Sequence, residues 1–325
     1  MPWIVAVLIG TDEAGYGPNL GPLVVSATSW KIPADRMDVD LFAEFSPVVV
    51  NQANRAGPAT HVPMADSKQL YRPGAGWRDL ELGLFTSLRQ LGALPTGWRE
   101  VWERLDPRPT LWSDAPPWYV DFQASIPRDV TVEVIEQFQT KLAVRLETAG
   151  IRLTHVRSRV VFPQELNRLI ESLGNKAAAL SQITLELVRD LLDETSGERT
   201  LVHCDKHGGR NKYGPLLQQT FPDYLVEVRK EGRSESVYRW GAARRRVEAR
   251  FVAGGEGFLP SALASMACKY LRELAMWAFN EFWCERVKEL VPTAGYPVDA
   301  RRFKAAIEPT QKKLGIRDQV LWRKR

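Results

Sequence analysis

Two adjacent carboxylates, Asp12 and Glu13, stand between an apolar run, Val5 to Ile9, and a glycine loop, Gly15-Tyr16-Gly17. Carboxylate oxygens at such a place suit a hard divalent cation, Mg²⁺ or Mn²⁺. They would repel a bare phosphate and attract one only through a metal. The loop is not a nucleotide phosphate cradle, because the G-x-x-x-x-G-K-[ST] pattern is absent. A second carboxylate in a similar setting is Asp205, which ends the apolar run from Thr200 and precedes Lys206-His207-Gly208-Gly209. Ser67 and Lys68, just after Asp66, can donate to phosphate oxygens. Ser265, Lys269 and Glu273 follow one another at i, i+4 and i+8, one polar stripe on a helix. A surface ion pair, a solvated hairpin and a plain helix cap are the ordinary alternatives to these readings. No third or fourth ligand at zinc spacing accompanies His203 and His207, so loop polarity or phosphate proximity is preferred for them.

The elements that must position these groups follow from periodicity. Val5 to Ile9, the glycine turn and the apolar run from Pro22 predict an antiparallel hairpin with the acids at the turn end of its first strand. Glycine at the turn allows φ > 0 and a close backbone approach. A short segment is expected around Leu41 to Phe45, and a turn or helix start at Ser67. Helical periodicity marks Leu80 to Leu91, Val130 to Thr148, and one or two helices over Pro163 to Leu192, interrupted by Asn167 and Asn175. Ile151 to Phe162 and Thr200 to Asp205 read as strands. Pro260 to Phe282 is a clear helix with Leu263, Met266, Ala267, Tyr270, Leu271 and Leu274 on its apolar face. The rest of Trp77 to Pro127, rich in Trp and Pro, reads as loops pinned by aromatics. Its Trp77-Arg78 and Trp98-Arg99 pairs could stack on bases, but buried packing is the preferred role.

At 325 residues the chain can bury a full core. Its 44% hydrophobic and 26% charged content are those of a soluble globular protein. The net charge of +5 is compatible with a nucleic-acid partner. The basic stretch from Arg229 to Arg250, with Arg244-Arg245-Arg246, reads equally as a solvated face or a stripe for a phosphate backbone. Three cysteines without disulfide or metal spacing fit a reducing, cytoplasmic setting. No stretch is long enough for a membrane span, and the N-terminal apolar run lacks the basic flank of a signal peptide. The terminal Trp322 to Arg325 segment would brush nucleic acid or fray.

DEAGYGPNLGPLVV, residues 12–25, resembles the DEAGRGPLAGPVV signature of the type 2 ribonuclease H family, with Tyr16 where that family has Arg. Asp66, Ser67, Lys68 and Leu70 resemble its Asp-Ser-Lys-Lys-Leu segment. ALASMACKYLREL, residues 262–274, is similar to its AAASILAKVTRDR helix, with Glu273 in place of an acidic Asp. Tyr296 matches the Tyr of its Lys-Gly-Tyr-Gly-Thr element, and the Asp-Gly setting of its third acid is assigned to Asp205.

The resemblance implies an α/β, ribonuclease-H-like mixed central sheet flanked by helices, with a Trp/Pro-rich insertion and a C-terminal helical extension. It implies a catalytic core over 1–284, an insertion at about 77–127, and an extension over 285–325 packed on the core. Asp12, Glu13, Asp205 and Glu273 would be the catalytic and metal-binding acids, holding two Mg²⁺ or Mn²⁺ ions about 3.5–4 Å apart. Gly15, Tyr16, Gly17, Ser67, Lys68, Ser265, Lys269 and Tyr296 would bind substrate. The implied partner is an RNA–DNA hybrid or a ribonucleotide-containing duplex, cut to leave 5′-phosphate and 3′-hydroxyl ends by a monomer without membrane attachment. Two other readings stay open: a nucleic-acid-binding protein of the same fold that has lost turnover, and a nuclease for a different nucleic acid.

Overall fold

A strand whose side chains are apolar on both faces belongs in the middle of a sheet. In β1 (Val5–Ala14) every residue from 6 to 11 is buried, and β1 is indeed an inner strand, third of seven. The computed structural model describes residues 5–71, 76–113, 115–195, 198–254 and 257–324. After β1 come β2 (Leu23–Pro33), α1 (Leu41–Phe45), the short pair β3 (Val49–Val50) and β4 (Val62–Pro63), then α2 (Ser67–Leu70) and α3 (Arg78–Arg89). Next are α4 (Trp98–Leu105), α5 (Val132–Ala149), β5 (Arg152–Val161), α6 (Pro163–Leu173), α7 (Lys176–Glu194) and β6 (Arg199–Asp205). The chain continues through α8 (Gly214–Thr220), β7 (Glu227–Glu231), β8 (Glu235–Trp240), β9 (Val247–Val252) and α9 (Leu259–Arg286), then α10 (Pro297–Lys313) and α11 (Asp318–Leu321).

Seven strands form one sheet in the order β5-β2-β1-β6-β9-β8-β7. The expected hairpin is present: β1 and β2 pair antiparallel from Val5 with Pro33 to Ala14 with Val24. β5 runs antiparallel to β2, β6 is parallel to β1, and β9 is parallel to β6. The mixed sheet flanked by helices is therefore observed. One face, bearing Leu8 of β1, packs with α3, α5 and α9; the other, bearing Val7 and Ile9, packs with α7 and α8. Gly10 sets how close α9 comes, since a Cβ there would stand 2.2 Å from the backbone N of Ser261. Among the described residues no helix is long and apolar enough to cross a membrane.

The stretch expected as loops after Leu91 contains a further helix, α4. Trp98 and Trp102 lie four apart on its buried side, and the Trp98 indole N–H donates to the Phe122 carbonyl at 2.7 Å. Trp118 meets Phe279 of α9 edge-on at 5.1 Å, and the Arg99 guanidinium lies 4.9 Å from the Trp112 ring. The Trp–Arg interleaving is thus used inside the fold, where Trp98, Trp102 and Trp118 are buried packing.

Residues 322–324 are bonded to the core rather than frayed, and Arg323 is turned away from solvent. Arg323 is fully buried, and its backbone N–H donates to the Asn19 carbonyl at 2.9 Å. Asn167, which looked like an interruption of α6, accepts from the Lys324 N–H at 2.7 Å and donates to the Trp322 carbonyl at 2.8 Å. Arg325 lies outside the described residues.

Candidate acidic site

β1 and β6 are adjacent and parallel, with Gly10 opposite His203. Two residues further along each strand, Asp12 and Asp205 reach the same edge of the sheet and the same face. That register gathers two carboxylates that lie far apart in the chain. They line a cavity of about 50 Å³ together with Asp66, Lys68, His203 and Ser265. Such a volume holds ions or water rather than a base.

Asp66 caps α2, accepting from the Lys68 N–H at 2.8 Å, and its other oxygen lies 3.6 Å from the Lys68 ammonium. Ser265, from α9, accepts from the Ser67 N–H at 3.1 Å and donates to the Ser67 hydroxyl at 3.1 Å. It also lies close enough to Asp12 to favour its ionised form. One hydroxyl therefore ties α2 and α9 together beside the acids.

The electrostatics are those of crowded acids. Burial, helped by the charges of Asp66 and Asp205 and opposed by the Ser265 hydroxyl, pushes Asp12 up to about 7. Burial, then Asp12 and Asp205, push Glu13 up to about 8, with Lys68 pulling the other way. Glu13 points to the opposite face of β1 from Asp12. Like charges in a desolvated site cannot all ionise without a cation to offset them. The donor set, all carboxylate oxygens, fits a hard divalent ion. Among the described residues, however, no group of three or more His, Cys, Asp and Glu side chains is arranged to hold an ion. The acids are gathered but not closed on one point.

Glu273 is placed elsewhere, which corrects its assignment to this cluster. It accepts from the Tyr71 hydroxyl at 2.8 Å and from the Lys269 ammonium, and that ammonium lies 4.2 Å from the Tyr71 ring. Eight helical residues separate it from Ser265, roughly 12 Å of rise, and it does not line the cavity. Lys269 is thereby engaged away from the acids. The acid that sequence reasoning passed over is Asp66. Its signal was present, since it begins the Asp-Ser-Lys segment from which only Ser67 and Lys68 were taken.

The glycine loop is held by two buried arginines. Arg323 donates to the carbonyls of Gly15 at 2.5 Å, Tyr16 at 3.3 Å, and Gly21 and Pro22 at 3.4 Å each. Arg272 of α9 donates to Pro22 at 2.9 Å and to Ala294 at 3.1 Å. Burial and then the nearby Arg272 push Arg323 down to about 9, so it stays charged at neutral pH. Gly15 has φ +88°, and a Cβ there would stand 2.7 Å from the Pro22 carbonyl. Gly17 leaves room for Tyr296, whose ring carbon lies 3.6 Å from the position its Cβ would take. Tyr296 is 59% exposed, open to a ligand at this corner. Tyr16 turns the other way, toward Gly208, with the Lys176 ammonium 4.9 Å from its ring.

Of the two histidines expected to serve loop polarity or lie near phosphate, His207 is no polar loop group. His207 is buried, its Nδ1 is 3.0 Å from the Ser181 hydroxyl, and desolvation pushes it down to about 3. His203 lies against Phe258 with ring centres 4.7 Å apart, at the cavity's edge.

A scan against protein-family models and a search of curated proteins return no match. Solved structures do match. Ribonuclease H2 from Pyrococcus horikoshii OT3 matches at 15% identity over 97% of this chain and 92% of that one, with a TM-score of 0.40. RNase HII from Archaeoglobus fulgidus, solved in complex with PCNA, matches at 14% identity over 98% and 94%, with a TM-score of 0.43. Bst-RNase HIII in complex with Mn²⁺ matches at 14% identity over 98% of this chain and 66% of that one, with a TM-score of 0.42.

Proposed function

We propose that this chain is a metal-dependent endonuclease that hydrolyses phosphodiester bonds of RNA in RNA–DNA hybrids or at ribonucleotides in duplex DNA. The observation that carries the reading is the meeting of Asp12 and Asp205 at one edge of adjacent parallel strands, with Asp66 across the same small cavity. The 12–25 signature supports it, since the acids and glycines of that resemblance are the residues at this edge.

Asp12, Asp205 and Asp66 would hold the divalent ions, with Glu13 adding its charge from the other face of β1. When bound, such ions supply an activated water and charge stabilisation at the leaving 3′ oxygen. The chain's own groups would do the rest. Ser265 favours the ionised form of Asp12. Lys68, its side chain 86% exposed, is free to swing toward a phosphate. The Gly15 to Gly17 backbone and the Tyr296 ring form the corner where a ribose with its 2′-hydroxyl would be read. Tyr16 cannot make the charge-assisted contacts of an arginine, so recognition of a single ribonucleotide is expected to be weaker than the signature implies.

That the acids are not closed on a point favours a second reading, a binding protein without turnover. Labelled duplexes decide between them: an RNA–DNA hybrid, DNA with one embedded ribonucleotide, and DNA alone, each with Mg²⁺ or Mn²⁺. Cutting only at ribonucleotides, abolished in Asp12→Asn, is the expected result. Binding without cutting of any duplex would leave the second reading standing.

A further inference from the structure

The sheet face that carries Asp12 and Asp205 is covered by α9 mainly over β1 and β2, and to a lesser extent over β5. Beyond them, on β9 and β8, the residues of this face stay partly exposed while their alternates are buried. Register puts His203 beside Arg250 and Asp205 beside Val252, and sets Arg239 opposite Glu248 and Val237 opposite Arg250. An open polar shelf therefore runs back from the acids along β6, β9 and β8.

At the far end of that shelf is a cavity of about 400 Å³ lined by Arg199, Arg239, Arg246 and Arg250. Two acids face them. Glu248 accepts from both Arg239 and Arg250 at 2.6 Å, and Asp38 stands on the wall. With Glu227, which Arg246 reaches, four guanidiniums meet three carboxylates and leave one positive charge in surplus. Arg246 reaches only Glu227, at 4.0 Å, and its Nε is buried without a hydrogen-bond partner. Arg244 and Arg245, both exposed, adjoin the rim.

We propose that this arginine cavity is a second binding site for the phosphate backbone of the nucleic acid whose scissile bond lies at the acids. The proposal rests on the nuclease reading above and adds where the strand goes. From Asp205 to Arg199 is six residues of extended strand, roughly 20 Å. A nucleic-acid strand advances about 3.4 Å per phosphate, so the cavity takes phosphates about six steps from the cut. Guanidinium forks suit phosphate oxygens, and the shelf offers a continuous open path.

The test measures binding to the uncuttable Asp12→Asn protein, with and without Arg199→Ala/Arg246→Ala, over a KCl series. Two duplexes are used, a hairpin with a stem of about 4 base pairs, roughly 14 Å and too short to reach from the acids to the cavity, and a duplex of about 24. The double variant should weaken the long duplex about 10- to 100-fold and lower its log–log salt slope by about 2. It should leave the short duplex unchanged. Arg199→Lys/Arg246→Lys should recover most of the slope, showing that charge rather than folding was lost. Equal affinity and slope for both lengths in both proteins would overturn the proposal, as would no binding of either duplex. Displacement of both duplexes alike by millimolar inorganic phosphate would assign the cavity to a free anion instead. Wild-type protein that cuts nothing yet shows the length-dependent slope would overturn the nuclease reading alone.

Discussion

Arg323 donates to the carbonyl of Gly15 across 308 residues of chain, so one end of the molecule is fastened to the loop beside the acids. Nothing else among the described contacts reaches the Gly15 and Tyr16 carbonyls. Arg323→Ala leaves the Gly15, Tyr16 and Gly21 carbonyls without a charged donor, while Pro22 keeps Arg272, and should destabilise the protein by about 2–4 kcal/mol. Arg323→Lys keeps the charge but loses the fork and should recover only part of that. Urea unfolding gives both numbers. A change below about 0.5 kcal/mol for the alanine variant, the size of an ordinary surface substitution, would remove the clamp from the account.

Asp66 and Glu273 make opposite predictions about the fourth acid. Mn²⁺ should raise the melting temperature of the wild type, much less that of Asp66→Asn, and not that of Asp12→Asn. Glu273→Gln should respond to Mn²⁺ like wild type, because Glu273 is bonded to Tyr71 and Lys269. A Mn²⁺ response lost in Glu273→Gln and kept in Asp66→Asn would return the role to α9.

The raised carboxyls set a pH signature. Asp12 and Glu13 titrate near 3.8 and 4.5 when unfolded and near 7 and 8 when folded. Between those limits the folded chain holds more protons than the unfolded one, so without metal this pair's contribution to stability falls as pH rises from about 4 to about 8. Asp12→Asn removes one acid and lowers the repulsion on Glu13, so that fall should shrink. With Mn²⁺ the sign reverses, because metal must displace the protons and binds better as pH rises. Melting curves from pH 5 to 8.5, in chelator and in Mn²⁺, read both slopes. Parallel slopes would contradict the assignment.

Gly10→Ala tests the seat of α9. Its Cβ would stand 2.2 Å and 2.3 Å from backbone atoms of Ser261 and Pro260, and backbone cannot swing aside. A cost of about 3 kcal/mol or more is expected. Gly97→Ala, with open space around the same atom, should cost about 1 kcal/mol or less, the price of a poorer helix cap. Comparable losses for the two would show that α9 can shift.

The hairpin, Asp205 at a strand end and the long helix were readable because each is a local pattern: a period, a turn and an acid at the boundary. Glu273 shows where that ends. The i, i+4, i+8 stripe was read correctly as one helix face, but a straight helix carries its face past a small cavity in two turns. Asp66 is closer only because Ser67 is bonded to Ser265, a contact between residues 198 apart. Asn167 and Arg323 were unreadable for the same reason. A buried Asn or Arg looks like a surface residue until the carbonyls that satisfy it are known, and those belong to another part of the chain.

The Asn19–Arg323 bonds, between residues 304 apart, also order events in time. A ribosome adds about 5–20 residues per second, so roughly 15–60 seconds separate the synthesis of the glycine loop from that of its clamp. Throughout that interval Asp12 and Glu13 stand at the end of β1 beside a glycine loop that is still unfastened. The acidic edge reaches its final form only after residue 323 has left the exit tunnel.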